Sequence, residues 1–179
     1  MNNTYLSMSL GDLVLALPLE SVHKVALMVA ITPLGEEGIP RGMLGVLSLG
    51  GRIVPVFDPL VRLGQEPKII DPSDHIVFAW AGSRMVGLCV DEAGGVFRES
   101  PQNVAAASDA SRTAAIAPGS SVWKDLRGIA GIAPLADGLA VIRDLDAFLS
   151  EEDQRLLDEA LDSLDDQALA YVKSKEEAR

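Results

Sequence analysis

The sequence predicts an all-β body built from short strands, followed by one C-terminal helix. Three observations carry this. Residues 1–149 break into short apolar runs separated by Gly, Pro, Asp and Ser, the spacing of barrels or sandwiches rather than of strand–helix–strand units. Gly45 to Pro59 reads Gly-Val-Leu-Ser-Leu-Gly-Gly-Arg-Ile-Val-Pro-Val-Phe-Asp-Pro, two apolar strands meeting at Gly50-Gly51, a pair suited to the positive φ angles of a two-residue hairpin. From Ser150 onward neither Gly nor Pro occurs, and apolar residues recur at helical spacing.

Taken in order, Tyr5–Leu10 and Leu13–Leu17 flank Gly11-Asp12 and form a first hairpin. Pro18-Leu-Glu-Ser21 forms one helical turn with proline at its first position, and Val22–Val29 is a third strand. Ile31–Arg41, rich in Pro, Gly and Glu, is a loop into the Gly45–Phe57 hairpin. Asp58 caps a short helix with Pro59 at its first position; Leu60, Val61 and Leu63 face inward and Gly64 stops it. The polar segment Gln65–Asp74 is expected to separate two halves of the body. His75–Trp80 and Arg84–Val90 form a hairpin about Ala81-Gly-Ser83, and Gly94–Glu99 continues the sheet.

Residues 105–121, dominated by Ala and Ser, are expected to be a mobile loop. Val122–Ile132 and Leu139–Ile142 follow, with Ala136-Asp-Gly138 as the turn between them, and Asp144–Leu149 is read as a second Asp-capped short helix. The stretch Val-Pro-Val-Phe-Asp-Pro-Leu from Val54 echoes Leu-Ala-Val-Ile-Arg-Asp-Leu from Leu139, which fits two similar barrels. Ser150 and Asp153 make a capping box. Leu157, Leu161, Leu164, Ala168 and Val172 then form one narrow apolar stripe, which packs on the body or on a partner helix.

Composition narrows the function. Of the formal charge of −11, residues 150–179, with ten acidic and four basic residues, hold over half. Such a field repels nucleic acid and anionic lipid, so no nucleic-acid partner is expected. Aromatic residues make up 4% of the chain, too few for stacking on nucleobases. The single cysteine, Cys89, lies in the apolar run Val86–Val90 and is read as a small buried hydrophobe in a reducing compartment. The N-terminus lacks the basic and apolar regions of a signal peptide, and no apolar run approaches the ~20 residues of a membrane span. A cytoplasmic protein without direct membrane insertion is expected.

Candidate chemistry is sparse. His23 and His75 lie far apart, with no neighbouring His, Cys or Glu at metal-ligand spacing. Asp58 and Asp91 follow apolar strands, where turn and capping roles are the plain reading. Ser83 and Ser121 lack a nucleophile elbow, and Gly50-Gly51 and Gly94-Gly95 are isolated pairs rather than phosphate loops. No enzyme activity, metal or cofactor is expected. An interaction module suits small barrels with exposed strand edges; a small-ligand-binding barrel is a further alternative.

Several pieces together resemble the CheW family of bacterial chemosensory coupling proteins. They are Leu10-Gly-Asp12, Leu17-Pro-Leu-Glu-Ser-Val-His-Lys-Val25, Ile31-Thr-Pro33, Gly45-Val46, Ile53-Val-Pro-Val-Phe-Asp58, Gly87-Leu-Cys-Val-Asp91, and Gly128-Ile-Ala130 with Leu139–Leu149. The resemblance implies two small five-stranded SH3-like barrels sharing a hydrophobic core, within a domain at residues 1–149, followed by an acidic amphipathic helix at 150–179. It further implies a scaffold that binds the regulatory domain of a CheA-type histidine kinase through one barrel and the cytoplasmic tip of a methyl-accepting receptor in the groove between barrels. Such a protein is recruited to membrane receptor arrays. The positions matching those contact surfaces are Val22, Lys24, Gly45, Leu49, Gly50 and Arg52, with Ile53 and Val54 in the adjoining strand.

Two departures fall on that surface. The family usually reads Asn-Leu-Arg-Gly at the hairpin, whereas this chain reads Ser48-Leu-Gly-Gly51, with Arg52 one position on. Strand alternation is expected to send Arg52 to the opposite side. Lys24 stands where the family usually has an acid, reversing a charge at a docking surface. The alternative to coupling is a divergent CheW-like regulatory or structural module outside chemotaxis that self-associates through its helix.

Overall fold

The computed structural model describes residues 2–35, 37–106, 128–136 and 138–177, with side chains described through Leu164. Ten strands form two five-stranded sheets. They are β1 (Asn3–Leu10), β2 (Leu13–Pro18), β3 (Val22–Leu27), β4 (Met43–Leu49), β5 (Arg52–Phe57), β6 (His75–Ala81), β7 (Arg84–Val90), β8 (Glu92–Glu99), β9 (Ile129–Leu135) and β10 (Gly138–Arg143). A short helix, α1 (Pro59–Arg62), follows β5, and a long one, α2 (Glu151–Glu177), ends the chain. Gly50 and Gly51 have φ of 58° and 81°, the double positive φ of a type I′ turn, which matches the twist of the flanking strands. The Asp58 carboxylate accepts from the Leu60 N–H at 2.8 Å and caps α1, as read from the sequence. Leu19–Ser21 form a single 3-10 turn, with Pro18 at its cap and still within β2 rather than at the first helical position.

The segment Gln65–Asp74 does not divide the body into two independent sheets. One sheet runs β3-β6-β7-β5-β4, joining strands from both sides of that segment; the other runs β8-β1-β2-β10-β9, so the first hairpin crosses to the last three strands. For the same reason β8 does not extend the sheet of β6 and β7 but pairs with β1. Period-2 alternation specifies which face of a strand is apolar and is silent about which strand lies beside it.

The echo between residues 54–60 and 139–145 occupies matching places. Val56 and Phe57 pair in parallel with Gly87 and Leu88 of β7, while Val141 and Ile142 pair in parallel with Leu15 and Ala16 of β2. Each sheet is also drawn toward closure in the same way. Thr32, downstream of edge strand β3, bridges to Val46 on the opposite edge strand β4; Ala105, downstream of β8, bridges to Ile132 on β9. The sheets are consistent with SH3-like barrels, although neither closes in a continuous ladder and, among the described residues, each is bridged at one such point.

Alternate side chains of the strands enter different cores. Leu6, Met8, Leu10, Leu13, Leu15 and Leu17 from one sheet meet Val77, Ala79, Ala81, Val86, Leu88 and Val90 from the other in a shared core. The opposite faces fill the barrel interiors, with Val54, Val56, Ile76, Phe78 and Cys89 in one and Tyr5, Ala16, Ala133, Ala140 and Ile142 in the other. At roughly 1.5–3 kcal/mol for each fully buried large aliphatic side chain, these three clusters are the main stabilising element.

Asp144–Leu149 is a turn, not a second short helix. Its Asp144 carboxylate binds the Asp146 N–H at 2.9 Å and Phe148 N–H bonds Leu145 C=O at 3.1 Å. Leu145, Phe148 and Leu149 are all drawn into the shared core, and that burial sets the local path. The capping box of α2 is reciprocal: Asp153 N–H donates to Ser150 Oγ at 3.1 Å, and Ser150 N–H donates to Asp153 Oδ2 at 2.9 Å. Leu157 is fully buried and Leu161 and Leu164 pack beside it, so this part of the apolar stripe covers the body. The side chains of Ala168 and Val172, the expected loop at 105–121 beyond Ala106, and the expected strand start at Val122 lie outside what is described.

Candidate interaction surface

The β4–β5 hairpin forms one end of a barrel. Leu49 faces Arg52 across the turn, and Ser48 faces Ile53. Along β5, Val54 and Val56 point into the barrel interior, so Arg52, two residues before Val54, shares their face at the mouth of that interior. There its guanidinium lies over the ring of Trp80 on β6, 5.4 Å from the centroid, with Leu49 packed nearby on the same cluster. A cation over indole contributes about 0.5–1 kcal/mol at an exposed site. Ile53 points the other way and is 40% exposed. Gly50 has open space around its Cα, so Arg52, tied to Trp80, does not stand in for a side chain projecting from position 50.

The other expected contact residues separate by burial. Lys24 is exposed on β3, opposite Phe78 in register, and Val22 is half-buried against the shared core. In the sheet order β6 and β7 stand between their strand and β5. Because β3 ends its sheet, it presents an open edge, with a bulge between Val22 and Lys24. Two of the expected contact residues do not present side chains to a partner. Val54 is fully buried, because its alternation phase faces inward. Gly45 is buried at φ 144° beneath the Thr32 carbonyl, where it permits the barrel-closing bridge.

The residues weighed for chemistry hold the fold. Asp58 binds Leu60 N–H and also Lys68 N–H, the latter at 2.9 Å. The Lys68 ammonium reaches Asp74 at 2.7 Å and Asp91 at 2.8 Å, and Asp91 in turn accepts the Gly11 N–H. This cluster joins the Gln65–Asp74 segment to the turn of the first hairpin, and so ties one sheet to the other. Burial opposes the charge on Lys68, but its bonds to Asp74 and Asp91 hold its pKa above the ordinary lysine value. Burial pushes the Cys89 thiol up to about 12, the state of an unreactive core residue. Among the described residues, no group of three or more His, Cys, Asp and Glu side chains could hold a metal ion. No described helix is long and apolar enough to cross a membrane.

Several long-range contacts leave no local trace in the sequence. Trp80 beneath Arg52 is one. Another is Arg62, which donates to Asp153 at 2.9 Å and to the Phe148 carbonyl, and lies 4.8 Å from the Phe148 ring centroid. Arg84 pairs with Asp158 and adds a second link between α2 and the body. These partners are separated by 91 and 74 residues, so no spacing rule connects them.

Two barrels fused across a shared aliphatic core, with open strand edges and a docked terminal helix, define a two-barrel all-β domain. A family model described as the CheW-like domain matches residues 4–153, and the chain belongs to that family. It is 25% identical over 119 residues to the chemotaxis protein CheW of Klebsiella aerogenes, a match spanning 66% of each chain. Among solved structures, the scaffolding protein TtCheW of Thermoanaerobacter tengcongensis matches with a TM-score of 0.70 and 23% identity, covering 86% of this chain and 96% of that one. That likeness concerns the fold.

Proposed function

We propose that this chain is a non-catalytic chemotaxis adaptor that couples methyl-accepting chemoreceptors to a CheA-type histidine kinase. The observation that carries the reading is the CheW-like match across residues 4–153 together with the two-barrel architecture. The kinase's regulatory domain docks on one barrel and the receptor tip enters the groove between barrels, which recruits a cytoplasmic scaffold to membrane arrays. Lys24, Leu49, Gly50, Arg52 and Ile53 form the contacting set with Val22 at its border, while Gly45 and Val54 keep the hairpin in register. A lysine at position 24 and an arginine held on Trp80 give this scaffold its own partner preference, since rim charges act on partner choice and association rate more than on raw affinity.

The test is capture from the native cell with the whole chain as bait. Recovery of a CheA-type kinase and a methyl-accepting receptor supports the reading, and absence of both overturns it. Lys24→Glu, an exposed change that leaves the core intact, is expected to alter the captured kinase or receptor by several-fold. Unchanged recovery with Lys24→Glu and Arg52→Ala removes this face from the interface.

A further inference from the structure

Trp80, one of two tryptophans in the chain, ends the inward-facing row of β6. Ile76, Phe78 and Trp80 alternate onto one face and pack with Val54 and Val56, so they line a single barrel interior. Ile76 and Phe78 are buried, whereas Trp80 is half-buried at the mouth. Two cations border it. Arg52, exposed on β5, holds its guanidinium 5.4 Å from the ring centroid, and Leu49 faces it across the turn. Lys24, exposed on β3, stands opposite Phe78 and is therefore a diagonal neighbour of Trp80, with about 7–8 Å between such positions. Arg62, Lys68, Arg84 and Arg155 each hold a carboxylate. Among the described residues neither Lys24 nor Arg52 does, and Glu20, exposed on the turn before β3, is bonded to neither.

We infer that the occupant of this mouth is a carboxylate-rich segment of a protein partner, on the footing of the docking role already given to this face. Charge complementarity selects that occupant. In a chain of net charge −11 an acidic partner is repelled over most of the surface, and the paired position of Lys24 and Arg52 accepts it here while repelling a basic segment. A guanidinium seated over an indole keeps its N–H donors for a carboxylate, and its side chain is already restricted before the partner arrives. Tryptophan and arginine are also the residue types that most often anchor interfaces. Trp80 and Leu49 supply the apolar part of the mouth, so the matching element is an aspartate or glutamate beside an aliphatic or aromatic side chain.

The test places a photocrosslinker at the mouth of the full chain in the native cell, as Leu49→p-benzoylphenylalanine and separately His23→p-benzoylphenylalanine, and sequences the crosslinked peptide by mass spectrometry. A segment of the kinase or receptor with more Asp and Glu than Lys and Arg is expected. A neutral or basic segment, a second copy of this chain, or no crosslink while the kinase or receptor is still captured overturns the inference and leaves the coupling role standing. Absence of both partners from the capture overturns the two together. With the crosslinked partner identified, Arg52→Glu weakens its binding at least ~10-fold, whereas Arg98→Glu, the same charge change at an exposed β8 site, leaves it within ~2-fold. Replacing the partner's matching carboxylate by lysine restores binding to the Arg52→Glu chain, a rescue that a merely structural role of Arg52 does not give. Circular dichroism confirms that each variant is folded. Equal weakening by Arg52→Glu and Arg98→Glu also overturns the inference.

Discussion

Replacing Gly45 by alanine is expected to open one barrel without touching any partner. A Cβ built on Gly45 lies 2.8 Å from the Thr32 carbonyl carbon and 2.9 Å from Ile31 Cγ2, and closer still to the Thr32 oxygen. Relief requires the Thr32 backbone to withdraw, which breaks the bonds from Thr32 N–H to Val46 C=O at 2.8 Å and from Val46 N–H to Thr32 C=O at 2.9 Å. Each contributes about 1 kcal/mol net, and a side chain at φ 144° adds about 1–3 kcal/mol of backbone strain. The expected loss is about 3–5 kcal/mol, a large share of the ~5–15 kcal/mol that typically holds a domain together. Urea unfolding followed by circular dichroism measures it. Gly50→Ala is the control, since φ there is 58° with open space around it, and it costs only about 1–2 kcal/mol. If Gly45→Ala costs no more than Gly50→Ala, the closure argument is wrong. The same experiment separates fold from docking, because binding lost in a Gly45 variant then follows from an opened barrel.

Further outcomes follow from buried groups. Burial alone would raise the Asp153 pKa, but bonds from Arg62 and Ser150 outweigh it and leave the group below the ordinary 3.8. Its stabilising contribution is therefore complete above about pH 4 and fades as pH falls through the lower folded value. Asp153→Asn destabilises the protein at neutral pH by up to about 3 kcal/mol and flattens the acid limb of the stability curve; an unchanged limb in a pH series of melts refutes this. Leu157→Ala empties a fully buried site under α2 and costs about 2–5 kcal/mol by urea titration, whereas a cost below about 1 kcal/mol would mean that the helix does not rely on this contact. Cys89, with its thiol raised to about 12, reacts with a thiol reagent only at the rate of unfolding; rapid native labelling contradicts its burial.

Local chemistry was legible residue by residue. The Gly50-Gly51 turn, the Asp58 cap and the Ser150–Asp153 capping box each join groups within three residues of one another, so their geometry is a property of the short segment. The apolar alternation likewise marked strands, and the echo between residues 54–60 and 139–145 marked equivalent places in two barrels. Arg52 showed how far such reasoning extends. Alternation predicted only that it leaves the side of the usual arginine, and the structure supplied both the face shared with Val54 and Trp80 beneath it. Asp144–Leu149 looked like the cap after Phe57, but burial of Leu145, Phe148 and Leu149 left it a turn.

The amino-acid sequence by itself determined the all-β class, the tight turns and the helix start, because these depend on side-chain type and near-neighbour spacing. Tertiary structure alone decided that the first hairpin joins the last three strands, and that Gly45 and Val54 are buried while Lys24, Arg52 and Ile53 are exposed. It also decided that Lys24 and Arg52 border Trp80 at one barrel mouth. The reason is that strand pairing, burial phase and charge convergence are contacts between residues far apart in the chain. Free energy is gained there only when the whole fold brings them together.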